Sequence, residues 1–80
     1  MWQEKNNKLQ ASFQCKDFTK AFAFMTEVAA EVERLDHHPE WSNMWNKVDF
    51  TLCTHDAGNT VTQKDRDLAA AIDKVFTKYR

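Results

Sequence analysis

The sequence predicts an α+β domain, a four-stranded antiparallel sheet with helices packed on one face, in the order β-β-α-β-β-α. Three observations carry this. Leu9 to Cys15 and Trp45 to His55 alternate apolar and polar residues with the period of two that marks a half-buried strand. Two other stretches, beginning near Phe18 and before Leu68, space their apolar residues as helices do. Neighbouring strands with helices between them favour helices stacked on one face of an antiparallel sheet.

In chain order, residues 2–8 open with a short polar and aromatic segment. Asn6-Asn7 tolerates left-handed dihedrals, so a hairpin turn there makes Trp2 to Lys5 the partner of the next strand. Along that strand Leu9, Ala11, Phe13 and Cys15 face one way and Gln10, Ser12 and Gln14 the other. Asp17 is placed to cap a helix. Its Phe18, Ala21, Phe22, Phe24, Met25, Val28, Ala29, Val32 and Leu35 sweep an arc of roughly 160°, wider than the stripe of an ordinary surface helix. Taken singly these residues read as core; the width of the arc suits contact with a second subunit. Residues 40–44 read as a loop. In the strand that follows, Val48, Phe50 and Leu52 lie on a packed face, with Lys47, Asp49, Thr51, Cys53 and His55 on a polar one. Asp56 to Val61, containing the single glycine Gly58, reads as a turn, with a short final strand over Asn59-Thr60-Val61. Thr62 and Asp65 approximate a capping box with Asp in place of Glu. Leu68, Ile72, Val75, Phe76 and Tyr79 mark the second helix.

Eighty residues hold one core, so residues 1–80 are read as a single domain. A domain this small often gains stability by oligomerising. With 42% hydrophobic and 29% charged residues, the composition is that of a globular protein. A net charge of −1 offers no long-range attraction to nucleic acid or to an anionic membrane. Cys15 and Cys53 are too few for a secreted disulfide framework and form no CxxC motif, so they read as small apolar residues in a reducing compartment. No apolar run approaches the roughly 18 residues of a membrane span, and no signal peptide is visible. The expectation is a cytoplasmic protein.

The chemistry concentrates between Glu33 and His55, which contain all three histidines and the only proline. Histidine titrates closest to neutrality, so a cluster of imidazoles can both donate and accept protons. Pro39 biases His38 away from helical dihedrals, putting the His37-His38 pair where a helix gives way to a loop. Glu33 stands four residues before His37 and can fix its tautomer if the last turn persists. A solvated pair at the helix end is the alternative. His55 falls on the polar face of its strand or just beyond it, where the fold could return it to the pair. Asp65 serves the helix cap, and a second role facing the site can coexist with that.

Glu33-x-x-x-His37-His38-Pro39, Trp45-Asn46-Lys47-Val48, Thr54-His55-Asp56-Ala57-Gly58 and Asp65-x-x-Leu68-Ala69 together resemble pterin-4a-carbinolamine dehydratase, over roughly residues 2–76. The resemblance implies a four-stranded sheet packed against helices, usually with an extra N-terminal helix for which there is no room before Trp2. It implies a hydro-lyase that removes water from 4a-hydroxytetrahydropterin to give the quinonoid dihydropterin, in support of tetrahydrobiopterin recycling. No metal or redox cofactor is expected, and the pterin is the substrate. By resemblance His37, His38 and His55 are the active-site histidines, with His38 the general acid and His37 and His55 binding the pterin and exchanging protons. Glu33 would orient His37, Asp65 would hold the pterin edge or His55, and Trp41 or Trp45 could stack on the flat ring. The chain departs from the family at Trp45, where tyrosine is frequent, and at Asn59-Thr60-Val61-Thr62, where many members have Gly-Gly-Leu-Thr and reach the aspartate one residue sooner. A homodimer or homotetramer is expected, with no direct nucleic-acid or membrane partner. Two other classes compete: a metal site of His37, His38, His55 and Cys53, which lacks zinc-like spacing, and a non-catalytic module acting as a dimerisation or transcription cofactor.

Overall fold

Asn6 and Asn7 both take left-handed dihedrals, with φ of 54° and 62°, and this tight turn closes the first hairpin. The computed structural model describes residues 1–80, all of the chain. Strand β1 (Gln3–Lys5) pairs with β2 (Lys8–Gln14) across the turn, placing Gln3 opposite Gln10. Helix α1 (Phe18–Leu35) follows, its first turn capped by Asp17, whose carboxylate accepts from the Lys20 amide at 2.9 Å. Strands β3 (Glu40–Met44) and β4 (Lys47–Leu52) form a second hairpin. Helix α2 (Gln63–Phe76) closes the chain. The sheet order is β1-β2-β4-β3, antiparallel throughout.

The fold class and element order match expectation, but two local assignments change. Residues 40–44, expected as a loop, are the edge strand β3, exposed along its whole length. It exists because β4 offers it a pairing edge, with Trp41 opposite Phe50 and Met44 opposite Lys47. Trp45 and Asn46 therefore form the turn, with Trp45 at φ 52°. The final strand expected over residues 59–61 reduces to one bridge, Thr54 with Thr60.

The core lies between one sheet face and the two helices. The alternation in β2 and β4 holds, with Leu9, Ala11, Phe13, Val48, Phe50 and Leu52 buried. The rings of Phe13, Phe24 and Phe50 meet at centroid distances of 5.4 to 6.0 Å, mostly edge to face. Leu68 and Ile72 of α2 and Val28 of α1 are fully buried against them. Trp2 joins β1 to α2 by packing on Phe13 and donating its indole N–H to Asp73 at 2.9 Å. The outer limb of the apolar arc of α1 stays uncovered, with Phe18 and Phe22 about half exposed. No helix is long and apolar enough to cross a membrane.

Candidate active site

The C-terminal end of α1, the start of β3, the end of β4 and the first turn of α2 gather the three histidines at one end of the domain. Helix α1 stops at Leu35 because Asp36 takes left-handed dihedrals with φ 50°. The Asp36 amide donates to the Glu33 carbonyl and the His37 amide to the Val32 carbonyl, which is the Schellman termination. That turn carries His37 off the helix face, so the expected Glu33–His37 pairing does not form. Glu33 meets His38 Nε2 instead at 3.2 Å, in an open pair whose side chains are 78% and 65% exposed.

His37 turns inward. Its Nε2 lies 2.6 Å from Oδ1 of Asp65, which is fully buried at the third position of α2. The expectation that Asp65 holds the pterin edge or His55 is thus corrected: its oxygens are taken up by protein donors. Oδ2 accepts from the Thr54 hydroxyl at 2.8 Å and from the Thr62 amide at 2.9 Å, the latter closing the capping box. Burial alone raises the carboxyl pKa, but hydrogen bonds from His37, the Thr62 amide and Thr54, with the charge of His37, outweigh it and leave it below the ordinary aspartate value. An ionised carboxylate only accepts, so His37 presents N–H at Nε2 and keeps Nδ1 as the free ring nitrogen when neutral.

His55 opens a single 3-10 turn, His55–Ala57, beyond β4. The loop is pinned at its base, where the Thr54 amide donates to the Thr60 carbonyl at 2.8 Å. Gly58 and Asn59 turn it back with φ of 86° and 58°. Asn59 Oδ1 lies 2.8 Å from His55 Nδ1, which orients the ring. His38 and His55 line one open cavity of about 620 Å³, walled also by Asn6, Asn7 and Lys8 from the first hairpin and by Glu40, Thr51 and Cys53 from β3 and the end of β4. That volume lies within the range of small-ligand sites, roughly 300–1,000 Å³.

Trp41 does not line this cavity. It packs on Phe50 at 5.3 Å and borders a groove with Phe22 and Met25 of α1, so the expected stacking on a ligand is not met within one chain. Trp45 stands in the β3–β4 turn, 63% exposed. Sequence reasoning missed Thr54 and Asn59 as site residues. Thr54 was findable, because the inward parity of Val48, Phe50 and Leu52 runs on to it.

A family profile described as Pterin 4 alpha carbinolamine dehydratase matches residues 1–75. The chain belongs to this family. Proteins provisionally named pterin-4-alpha-carbinolamine dehydratase agree with it. One from Rhodospirillum rubrum is 54% identical over 84% of this chain and 69% of its own length. Another, from Paraburkholderia xenovorans, is 47% identical over 92% and 78%. A crystal structure of a transcriptional coactivator/pterin dehydratase from Brucella melitensis superposes with a TM-score of 0.88 at 43% identity, over 92% of this chain and 80% of that one. A pterin dehydratase-like protein described as a RuBisCO assembly factor in the alpha-carboxysome superposes at 0.75 with 25% identity, over 94% and 86%. Membership of the dehydratase family supports dehydratase chemistry on a pterin. It also brings relatives whose descriptions include roles other than catalysis.

Proposed function

We propose that the protein dehydrates 4a-hydroxytetrahydropterin to the quinonoid dihydropterin by histidine acid–base catalysis. The C4a–oxygen bond breaks, the hydroxyl leaves as water with a proton from an imidazolium, and a ring nitrogen gives up its proton. His38, on the cavity wall beside Glu33, is the general acid. His37 is the base: the carboxylate behind its Nε2 stabilises the imidazolium formed when Nδ1 takes a proton. His55 binds the pterin. Only a hydroxyl and a proton leave the substrate, so the reaction requires neither metal nor redox cofactor. This chemistry belongs to the cytoplasm and to tetrahydrobiopterin recycling, in a homo-oligomer assembled through the uncovered face of α1.

The observation that carries this reading is the convergence of His38 and His55, from distant segments, on one cavity; His37, anchored to Asp65, adjoins His38 in the chain and does not itself line that cavity. The test is a dehydration assay on 4a-hydroxytetrahydropterin with wild type, His38→Ala and His55→Ala. Near-background rates for His38→Ala and partial loss for His55→Ala are expected. Wild-type turnover no faster than the spontaneous reaction would overturn the assignment.

A second reading, a protein-interaction module, is favoured by one observation. Phe22, Met25, Ala29 and Trp41 border an apolar groove of about 340 Å³ away from the histidines. A stable complex with another protein, lost in Phe22→Glu, together with an inert histidine site, would favour it over catalysis.

A further inference from the structure

Thr54 and Asp65 are the only buried polar residues, and they touch. Their neighbours fix the direction of every hydrogen bond between them. The ionised Asp65 carboxylate accepts, so the Thr54 hydroxyl must donate to Oδ2. That hydroxyl has only one proton. Its 2.6 Å contact with the Thr62 hydroxyl is therefore a bond that Thr54 accepts and Thr62 donates. The result is a one-way chain, Thr62 O–H to Thr54 O–H to Asp65, ending on the carboxylate whose other oxygen holds His37 Nε2.

We propose that Thr54 is a positioning residue: its hydroxyl, polarised by Thr62, loads the Asp65 carboxylate and so sets how strongly that carboxylate draws the proton of His37. The inference rests on the proposed use of His37 as base. A carboxylate that accepts several strong donors is a weaker base than a bare one, and donors to an ionised group are the effective ones. Without the hydroxyl, the carboxylate keeps the Thr62 amide and His37, concentrates its charge on them, and holds a proton on the His37–Asp65 couple to higher pH. His37 is the only titratable side chain in hydrogen-bond contact with Asp65; Thr54 from the end of β4 and Thr62 from the helix cap supply its other partners. The side chain of Thr54 points into the fold and not into the cavity, whose wall it does not join. It acts through Asp65 and need not touch substrate.

The test compares wild type, Thr54→Val and Thr54→Ser. Valine keeps the shape and deletes the hydroxyl; serine restores it. Two readouts are followed across pH: the NMR signals of the Asp65 carboxyl carbon and the His37 ring nitrogens, and kcat/KM for the hydroxypterin. In Thr54→Val the proton uptake of the couple moves to higher pH. The acid limb of kcat/KM moves with it, a loss of about tenfold on the acidic side with the plateau held. Thr54→Ser returns both to wild type. Should Thr54→Val fail to fold, Thr62→Val reads the same chain one bond further out, with a smaller displacement in the same direction. Unchanged Asp65 and His37 signals in the valine variants, or no recovery in Thr54→Ser, overturn the inference. The NMR signals need no turnover, so they judge Thr54 even where the wild type proves inactive and the dehydratase reading falls by itself.

Discussion

Replacing Asp65 by Asn changes one atom and reverses a donor. The aspartate is fully buried and takes hydrogen bonds from His37 at 2.6 Å, Thr54 at 2.8 Å and the Thr62 amide at 2.9 Å. Asparagine has one acceptor oxygen, and the two donors that now share Oδ2, the Thr54 hydroxyl and the Thr62 amide, claim it. Its NH₂ then faces His37 Nε2, which must become an acceptor, and the ring proton moves to Nδ1. The fold survives, because volume and cap are kept, but the ring is left in the wrong tautomer. Exchanging a charged acceptor for a neutral one costs about 1.5–3 kcal/mol for a bond of this type. In a domain of this size that corresponds to a fall in Tm of roughly 6–24 °C. A base that has lost its free nitrogen forfeits the acid–base contribution, so kcat should fall about 10²-fold or more. Urea unfolding, steady-state kinetics and ¹⁵N spectra of His37 read the three effects separately. An Asp65→Asn protein with wild-type kcat and the proton still on Nε2 would refute the reasoning, whatever its Tm.

Three further expectations rest on this carboxylate, on the end of α1 and on the His55 loop. Because the Asp65 carboxyl is held below its ordinary value, its stabilising effect is complete above the unfolded-state pKa of about 3.9 and is lost as pH falls through the lower folded value. Urea midpoints measured from about pH 6 downward should therefore drop in wild type below roughly pH 4, and less steeply in Asp65→Asn; equal slopes would remove Asp65 from the acid transition. Asp36→Gly relieves a left-handed aspartate and removes a negative charge from a helix C-terminus, so it should stabilise the domain by about 1 kcal/mol in thermal melts at low salt; a lower Tm would count against that account. Asn59→Ala frees the His55 ring from its 2.8 Å partner and should raise KM several-fold with kcat little changed, as expected for one exposed hydrogen bond of about 1 kcal/mol; unaltered KM would detach Asn59 from the site.

What the sequence reveals follows from where side chains are constrained by burial. The alternation in β2 and β4, the Asp17 and Thr62 caps and the Asn6-Asn7 turn were legible because each leaves a local residue signature. Strand β3 leaves none. Both its faces are exposed, so Glu40 to Met44 needs no alternation, and its turn puts a tryptophan at φ 52° where sequence rules look for glycine or asparagine. The i and i+4 spacing favours a Glu33–His37 pairing, which does not form because Asp36 ends the helix between the two residues. The His37–Asp65 bond joins residues 28 apart in sequence and leaves no trace in local spacing.

The loop between His55 and Asp65, where the sequence departs by one residue from the pattern it resembles, is closed at its base. One added residue should displace the aspartate if it lengthened the path to α2. The amide of Thr54 and the carbonyl of Thr60 close the loop on itself, and the residues between them lie outside that bond. Gly58 and Asn59 absorb the slack in left-handed dihedrals, and Asn59 uses its place there to hold His55. The path that matters runs from Thr60 through Val61 to the Thr62 cap, and from the cap the capping box fixes Asp65 at the third helical position. Asp65 is therefore located by the start of α2, and His37 by the end of α1. Their 2.6 Å bond is set by how the two helices pack, and loop length can vary without moving it.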